Sequence, residues 1–200
     1  MNKLEYEKIK KLSYLEYCEY LQNKYGLAKG PYFNTNFGKN STITRTKDGL
    51  VIHHKFEDHA ILLGEVAYAS KNPYEWQKPE NLVYCDYLEH LLLHVLICEN
   101  PSPDRNKGEA VGIGGVVNFI APELNDLYSG WVTKQPWRLT CHNKVIEDKD
   151  VYLEIIKRFK HNCYNYPLYN EEDLYSSFNE KYFLWKSEFN ESLYNEMRKL

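Results

Sequence analysis

A chain of 200 residues, 43% hydrophobic and 26% charged, is long enough to bury a sizeable core and has the composition of an ordinary folded protein, which excludes the disordered and low-complexity classes. Its formal net charge of −3 argues against a large non-specific surface for polyanions, while leaving room for one local basic face. Cys18, Cys85, Cys98, Cys141 and Cys163 are odd in number and form no CxxC pair, so neither a disulfide scaffold nor a zinc ribbon is expected. No apolar run is long enough to span a bilayer, and the charged opening MNKLEYEKIKKL lacks a signal-peptide core. A cytoplasmic chain without a membrane partner is the expectation.

Residues 2–25 carry Leu4, Ile9, Leu12, Leu15, Cys18 and Leu21 at three- to five-residue steps, which predicts one amphipathic helix capped by Gly26. Residues 26–49 are rich in Gly, Asn, Pro and Ser and read as loop. Within it, residues 42–46 are predicted as a strand, turning at Lys47-Asp48-Gly49 into Leu50-Val51-Ile52 as a hairpin. Residues 60–69 are predicted as a short helix ended by Lys71-Asn72-Pro73, and Trp76 as a packing anchor of its loop. After a Pro/Asn-rich boundary at 100–108, residues 110–120 read as a tightly packed helix or strand whose glycines permit close approach. Gly112-Ile113-Gly114-Gly115 lacks the lysine and the βαβ context of a phosphate loop. The segment around Trp131, Pro136, Trp137 and Arg138 reads as irregular. Two amphipathic helices close the chain, over 150–163 and 171–199, the second long enough to serve as a dimerisation arm. Eighteen tyrosines suit partner or nucleic-acid contact, although AT-rich coding gives the same excess.

The chemistry concentrates in residues 50–94. His53 and His54 end a β-branched run, and neighbours on a strand point to opposite faces, so the two cannot share one task. Asp86 with Glu89 fits a capping box opening a helix. On that helix His90 and His94, four apart, project together as a chelating pair for a divalent transition metal. His59, in the intervening loop, is a candidate extra ligand or acid, with a solvent-exposed residue as the more common outcome. Histidine pairs at strand and helix ends are also ordinary core or surface residues, and a lone H-x-x-x-H is weak evidence. Their conjunction in this order is much rarer.

His53-His54, Asn81-Leu82-Val83 and Glu89-His90-Leu91-Leu92-Leu93-His94 together resemble the HNH (His-Me finger, ββα-metal) endonucleases, closest to the colicin-type pattern. The resemblance covers about a quarter of the chain. It implies a mainly helical α+β fold, with a ββα-metal finger over 41–99, interrupted by an insertion at 55–80. An N-terminal helix and loop over 1–40 would precede it, and a helical region over 100–200 would follow. It further implies His53, His90 and His94 as ligands of one divalent metal, His54 as the general base, and Asn81 as the residue that holds the loop and orients His54 through its backbone. Imidazole donors favour Zn, Ni or Co by softness, whereas the family's behaviour points also to Mg or Mn. The expected activity is hydrolysis of DNA phosphodiester bonds, with Arg45, Lys47 and Lys55 on the phosphate backbone. The alternatives are an RNase, or a non-catalytic binding module on a structural finger, with a homodimer through the helical arms as a further option.

Overall fold

The computed structural model describes residues 1–163, 171–175 and 187–200. Its centre is helix α4, Tyr87–Glu99, whose Leu88, Leu91, Leu92, Leu93, Val95, Leu96 and Ile97 are all buried. A helix apolar around its whole circumference must be enclosed on all sides. Helices α2 (Tyr14–Tyr25) and α7 (Lys149–Asn162) and a π-helical turn at Gly115–Ile120 supply the enclosure, joined into one core that reaches from Met1 to Met197. The capping box is present as expected. Asp86 accepts from the Glu89 backbone N–H at 2.9 Å, and the Glu89 carboxylate accepts from the Asp86 N–H at 2.7 Å. Asp86 is also paired with the buried Met1 ammonium.

The described residues contain one sheet, of two antiparallel strands, β1 (Val51–His54) and β2 (Leu82–Cys85), so the fold is α+β and mainly helical. The register places His53 opposite Val83 and His54 opposite Leu82. β1 therefore pairs with the strand that leads into α4, and not with residues 42–46 as the sequence led us to expect. Those residues instead form 3₁₀ turns, Ser41–Ile43 and Thr46–Asp48. The Asn40 side chain accepts from the Thr42 N–H, offering the backbone a local partner in place of a sheet ladder. Gly49 then ends the second turn at φ +72°, a conformation that glycine adopts without strain.

Residues 2–25 form two helices rather than one. α1 (Lys3–Ile9) stops at a turn, and Ser13 opens α2 with a capping box of its own, Ser13 with Glu16. The break rotates the buried face. Tyr6, Tyr14 and Tyr17 enter the core, while Leu4 and Leu15, expected inside, are exposed. Of the helix expected over 60–69 only α3, Val66–Ala69, forms, and Leu62 before it takes a left-handed φ of 55° that a helix does not accommodate. Trp76 does anchor its loop, stacked on Phe56 at 4.7 Å. The segment around Pro136 is irregular over residues 131–135 but helical from Pro136 onward. Proline is at the first position of α6, Pro136–Asn143, where its missing N–H costs nothing. α5 is Ala121–Tyr128, and α7, amphipathic as expected, buries Val151, Tyr152, Ile155, Ile156 and Phe159, with Leu153 only partly buried. The expected helix over 171–199 falls partly outside the described residues. Its described parts are α8, Glu171–Leu174, and α9, Ser187–Arg198.

Candidate metal centre

Strand alternation divides the two histidines. His53 leaves β1 toward α4, where its ring centroid lies 5.3 Å from that of His90 and 5.1 Å from that of His94. His54 points elsewhere, its ring edge-on to Tyr32 at 4.6 Å. One helical turn stacks His90 and His94, with their Nε2 atoms 3.2 Å apart. The three imidazoles assigned to a metal on resemblance are thus in one place.

A fourth donor joins them. Glu57 lies on the 3₁₀ turn Lys55–Asp58 that follows β1 directly. Its Oε2 is 3.2 Å from His94 Nε2 and 3.6 Å from His53 Nδ1, and donor atoms of His53, Glu57, His90 and His94 all lie within 4.8 Å of one another. A tetrahedral ion with bonds of about 2.0–2.2 Å spaces its donors roughly 3.3–3.6 Å apart. Three edges of this cluster, His90–His94 and Glu57–His94 at 3.2 Å and Glu57–His53 at 3.6 Å, are close to that spacing.

The protonation states suit a cation. Burial drives His53 well below the usual imidazole pKa, and neighbouring histidines add to it. Burial and the adjacent His94 lower His90 to about 3. Both are therefore neutral, with lone pairs to give. Burial alone would raise the Glu57 carboxyl. The surrounding His53, His54 and His94 imidazoles overcome it and hold the group well below the ordinary carboxylate range. Sulfur donors are disfavoured nearby, since burial pushes the Cys18 thiol up to about 12 and raises Cys85 too.

Tyr14 settles which nitrogen of His53 faces the cluster. Its hydroxyl donates to the Lys55 carbonyl at 2.9 Å, and so accepts from His53 Nε2–H at 2.8 Å. That leaves Nδ1 as the lone pair directed at Glu57 and the other imidazoles. Nδ1 is buried and has no hydrogen-bond partner. A buried acceptor without a donor costs about 1–3 kcal/mol, and a cation would satisfy it. The arrangement is the one in which a metal-ligating histidine is fixed through its second nitrogen. We expect Tyr14→Phe to weaken metal affinity by about 10–100-fold, read by calorimetry, and equal affinity would remove the tyrosine from the site.

Glycines allow the far wall to close on this cluster, as read from the sequence of residues 110–120. A Cβ on Gly115 would overlap the His94 ring at Nδ1, and one on Gly112, at φ +81°, would meet the His94 carbonyl at 2.9 Å. Gly115→Ala must displace His94 or the π-turn, at a cost of about 1–3 kcal/mol for overpacking. Its expected signature is a lowered thermal midpoint together with weaker metal binding. A midpoint matching that of the unmodified chain would count against this contact.

The remaining predicted residues are more scattered. His54 Nε2 meets the Gln77 side-chain oxygen at 3.1 Å, and His54 Nδ1 lies 3.5 Å from Glu57 Oε1. Gln77 is fully buried and donates in turn to the Leu63 carbonyl at 3.3 Å. Asn81 donates to the Glu75 carbonyl at 2.8 Å, tying the end of the insertion, and its neighbour Leu82 is the register partner of His54. Arg45 is committed to Asp48 at 2.7 Å, to the Tyr25 carbonyl at 2.6 Å and to the Tyr84 ring. Lys47 is exposed, and Lys55 is half-buried beside β1. His59 stays outside the cluster, held by Asp58 at 2.5 Å and Ser102 at 3.1 Å.

What the fold and site define together is a two-stranded sheet and helix that carry a buried His/Glu group able to hold a metal ion. No family model, curated protein or solved structure matches the chain. Glu57, Tyr14 and Gln77 were missed in the sequence. Glu57 left one signal, its position four residues after His53, whereas Tyr14 and Gln77 come from segments 39 and 23 residues away from their histidine partners.

Proposed function

We propose that the chain is a metal-dependent endonuclease of the His-Me finger type that hydrolyses nucleic-acid phosphodiester bonds, with DNA as substrate. The observation that supports this best is the split between the two adjacent histidines. His53 faces the other imidazoles, while His54 is held apart from them by Gln77, one carboxylate away. Bound there, a divalent ion would supply Lewis-acid charge for the phosphate oxygens and the leaving 3′ oxygen. With Gln77 accepting from Nε2–H, His54 presents Nδ1 as base and takes the proton of the attacking water as the P–O3′ bond breaks. Glu57 connects the two halves, one oxygen toward His94 and the other toward His54. Three imidazoles and a carboxylate suit Zn first, with Mn and Mg less disfavoured than in an all-nitrogen site. Of the three basic candidates Lys47 is the exposed one free to meet a phosphate backbone, whereas Arg45 is committed to Asp48, the Tyr25 carbonyl and the Tyr84 ring.

A second reading has one observation in its favour. A fourth protein donor closes a zinc shell, and closed shells are the mark of structural sites. On that reading the finger would be a scaffold for binding alone. Incubating the purified chain with plasmid DNA and with a long RNA, in Mg, Mn, Ni or Zn, separates the possibilities. Metal-dependent cutting of DNA is the expected result. Cutting of RNA alone would move the substrate, and cutting of neither under any ion would leave the structural reading.

A further inference from the structure

The candidate metal centre opens on one side into a cavity of about 680 Å³, of which Glu57, His90 and His94 form one wall. The rest of its lining is unlike a surface for a phosphate backbone. Among the described residues that line it there is no lysine or arginine, and the ionisable group beyond the metal wall is Glu65. Tyr32, Ile61, Phe119 and Trp137 supply aromatic and apolar faces. Phe119 is 58% exposed and Trp137 46% exposed, large faces to leave in water unless something covers them. The wall also holds Leu62 in its left-handed conformation. A bulky residue kept there costs of order 1–3 kcal/mol and is more frequent at ligand sites than elsewhere.

Charge is arranged differently on the two sides of Tyr32. The Tyr32 ring meets His54 on one side and lines the cavity, while Lys39 Nζ stands 5.0 Å over it. A ligand that reached from Lys39 past the Tyr32 ring into the cavity would pass from a cationic to an aromatic environment. Its charged part would stay outside and its flat, uncharged part would go in. A nucleotide has that division, and a paired duplex does not, because its bases are already stacked.

We propose that the cavity seats one unpaired nucleobase beside the scissile phosphate, so that the substrate is single-stranded or locally unpaired nucleic acid. This rests on the nuclease reading for the phosphate, but the base pocket itself is tested without cleavage. Stacking on Phe119, Trp137 and Tyr32 supplies affinity with little sequence preference, since every base has a π-face. Glu65 at the exposed edge is suited to accept from an exocyclic amine, which favours adenine, cytosine and guanine over thymine. An unpaired base is also the cheapest to bring in, because no stacking or pairing in a duplex is broken.

Calorimetry of the zinc-loaded chain with deoxyadenosine 5′-monophosphate and with 2-deoxyribose 5-phosphate compares the same phosphate with and without a base. The nucleotide should bind about tenfold or more tightly, the range of one base stacked on aromatic side chains. Phe119→Ala with Trp137→Ala should erase that difference while zinc affinity stays unchanged. Both side chains are about half exposed and neither belongs to the buried core, so the replacements leave the core intact. Equal binding of the two ligands, or a base preference that survives the double variant, overturns the proposal. Cleavage of a single-stranded oligonucleotide and of its perfect duplex gives the second readout, with the single strand expected to be cut faster. A base preference without any cleavage would reject the nuclease reading and keep the pocket, whereas equal cutting of both strands without base preference would do the reverse.

Discussion

His54→Ala is expected to lower phosphodiester cleavage by about 10²–10⁴-fold, the usual contribution of a positioned general base, with metal affinity nearly unchanged. The separation follows from β1. Neighbouring residues on a strand face opposite ways, so removing the His54 ring leaves the His53 ring where Tyr14 holds it. The variant loses a buried ring against Tyr32 and Gln77, and circular dichroism must show that it folds. Folded protein with intact metal binding and full activity would take the base assignment away from His54. Parallel loss of activity and metal binding would instead place His54 among the ligands.

The largest effect on metal binding is expected at His94. Its Nε2 makes both of the 3.2 Å edges of the cluster, to His90 and to Glu57. His94→Ala should weaken zinc affinity by more than the roughly 10–100-fold that follows loss of a residue one step removed from the ion. Glu57→Gln provides the graded comparison, since the amide keeps the volume and one oxygen but loses the charge. We expect a smaller loss there than at His94. Affinity within error of the unmodified chain for His94→Ala would exclude the cluster as a metal site.

The part of the centre that was legible in the sequence depends on short-range periodicity. A period of 3.6 joins His90 to His94 and a period of two splits His53 from His54, while the choice of His53 as the one that faces the other imidazoles comes from the family resemblance. Asp86 and Glu89 announce the helix start by the same kind of rule, and both make the expected bonds. Glu57 escaped because its turn lies inside an insertion whose backbone has no regular period. Tyr14 and Gln77 reach the histidines through tertiary packing, which spacing does not encode. The N-terminal helix break shows the other limit. Ser13 and Glu16 make a capping box, while the apolar pattern of residues 2–25 runs through them without a break and so predicts a single helix. The strand partner of β1 was misplaced for a related reason. Residues 42–46 are nearest in sequence, yet Asn40 turns them into a 3₁₀ segment, and the apolar run of β2, tied to the central helix, pairs instead.

The central claim is that His53, Glu57, His90 and His94 bind one divalent ion. X-ray absorption at the zinc edge, on protein loaded with one equivalent and quantified by calorimetry, tests it most directly. The account predicts one tight site per chain, with four nitrogen or oxygen donors at about 2.0–2.2 Å and imidazole scattering from three rings. A shell containing sulfur at about 2.3 Å, or no stoichiometric binding at all, would contradict it.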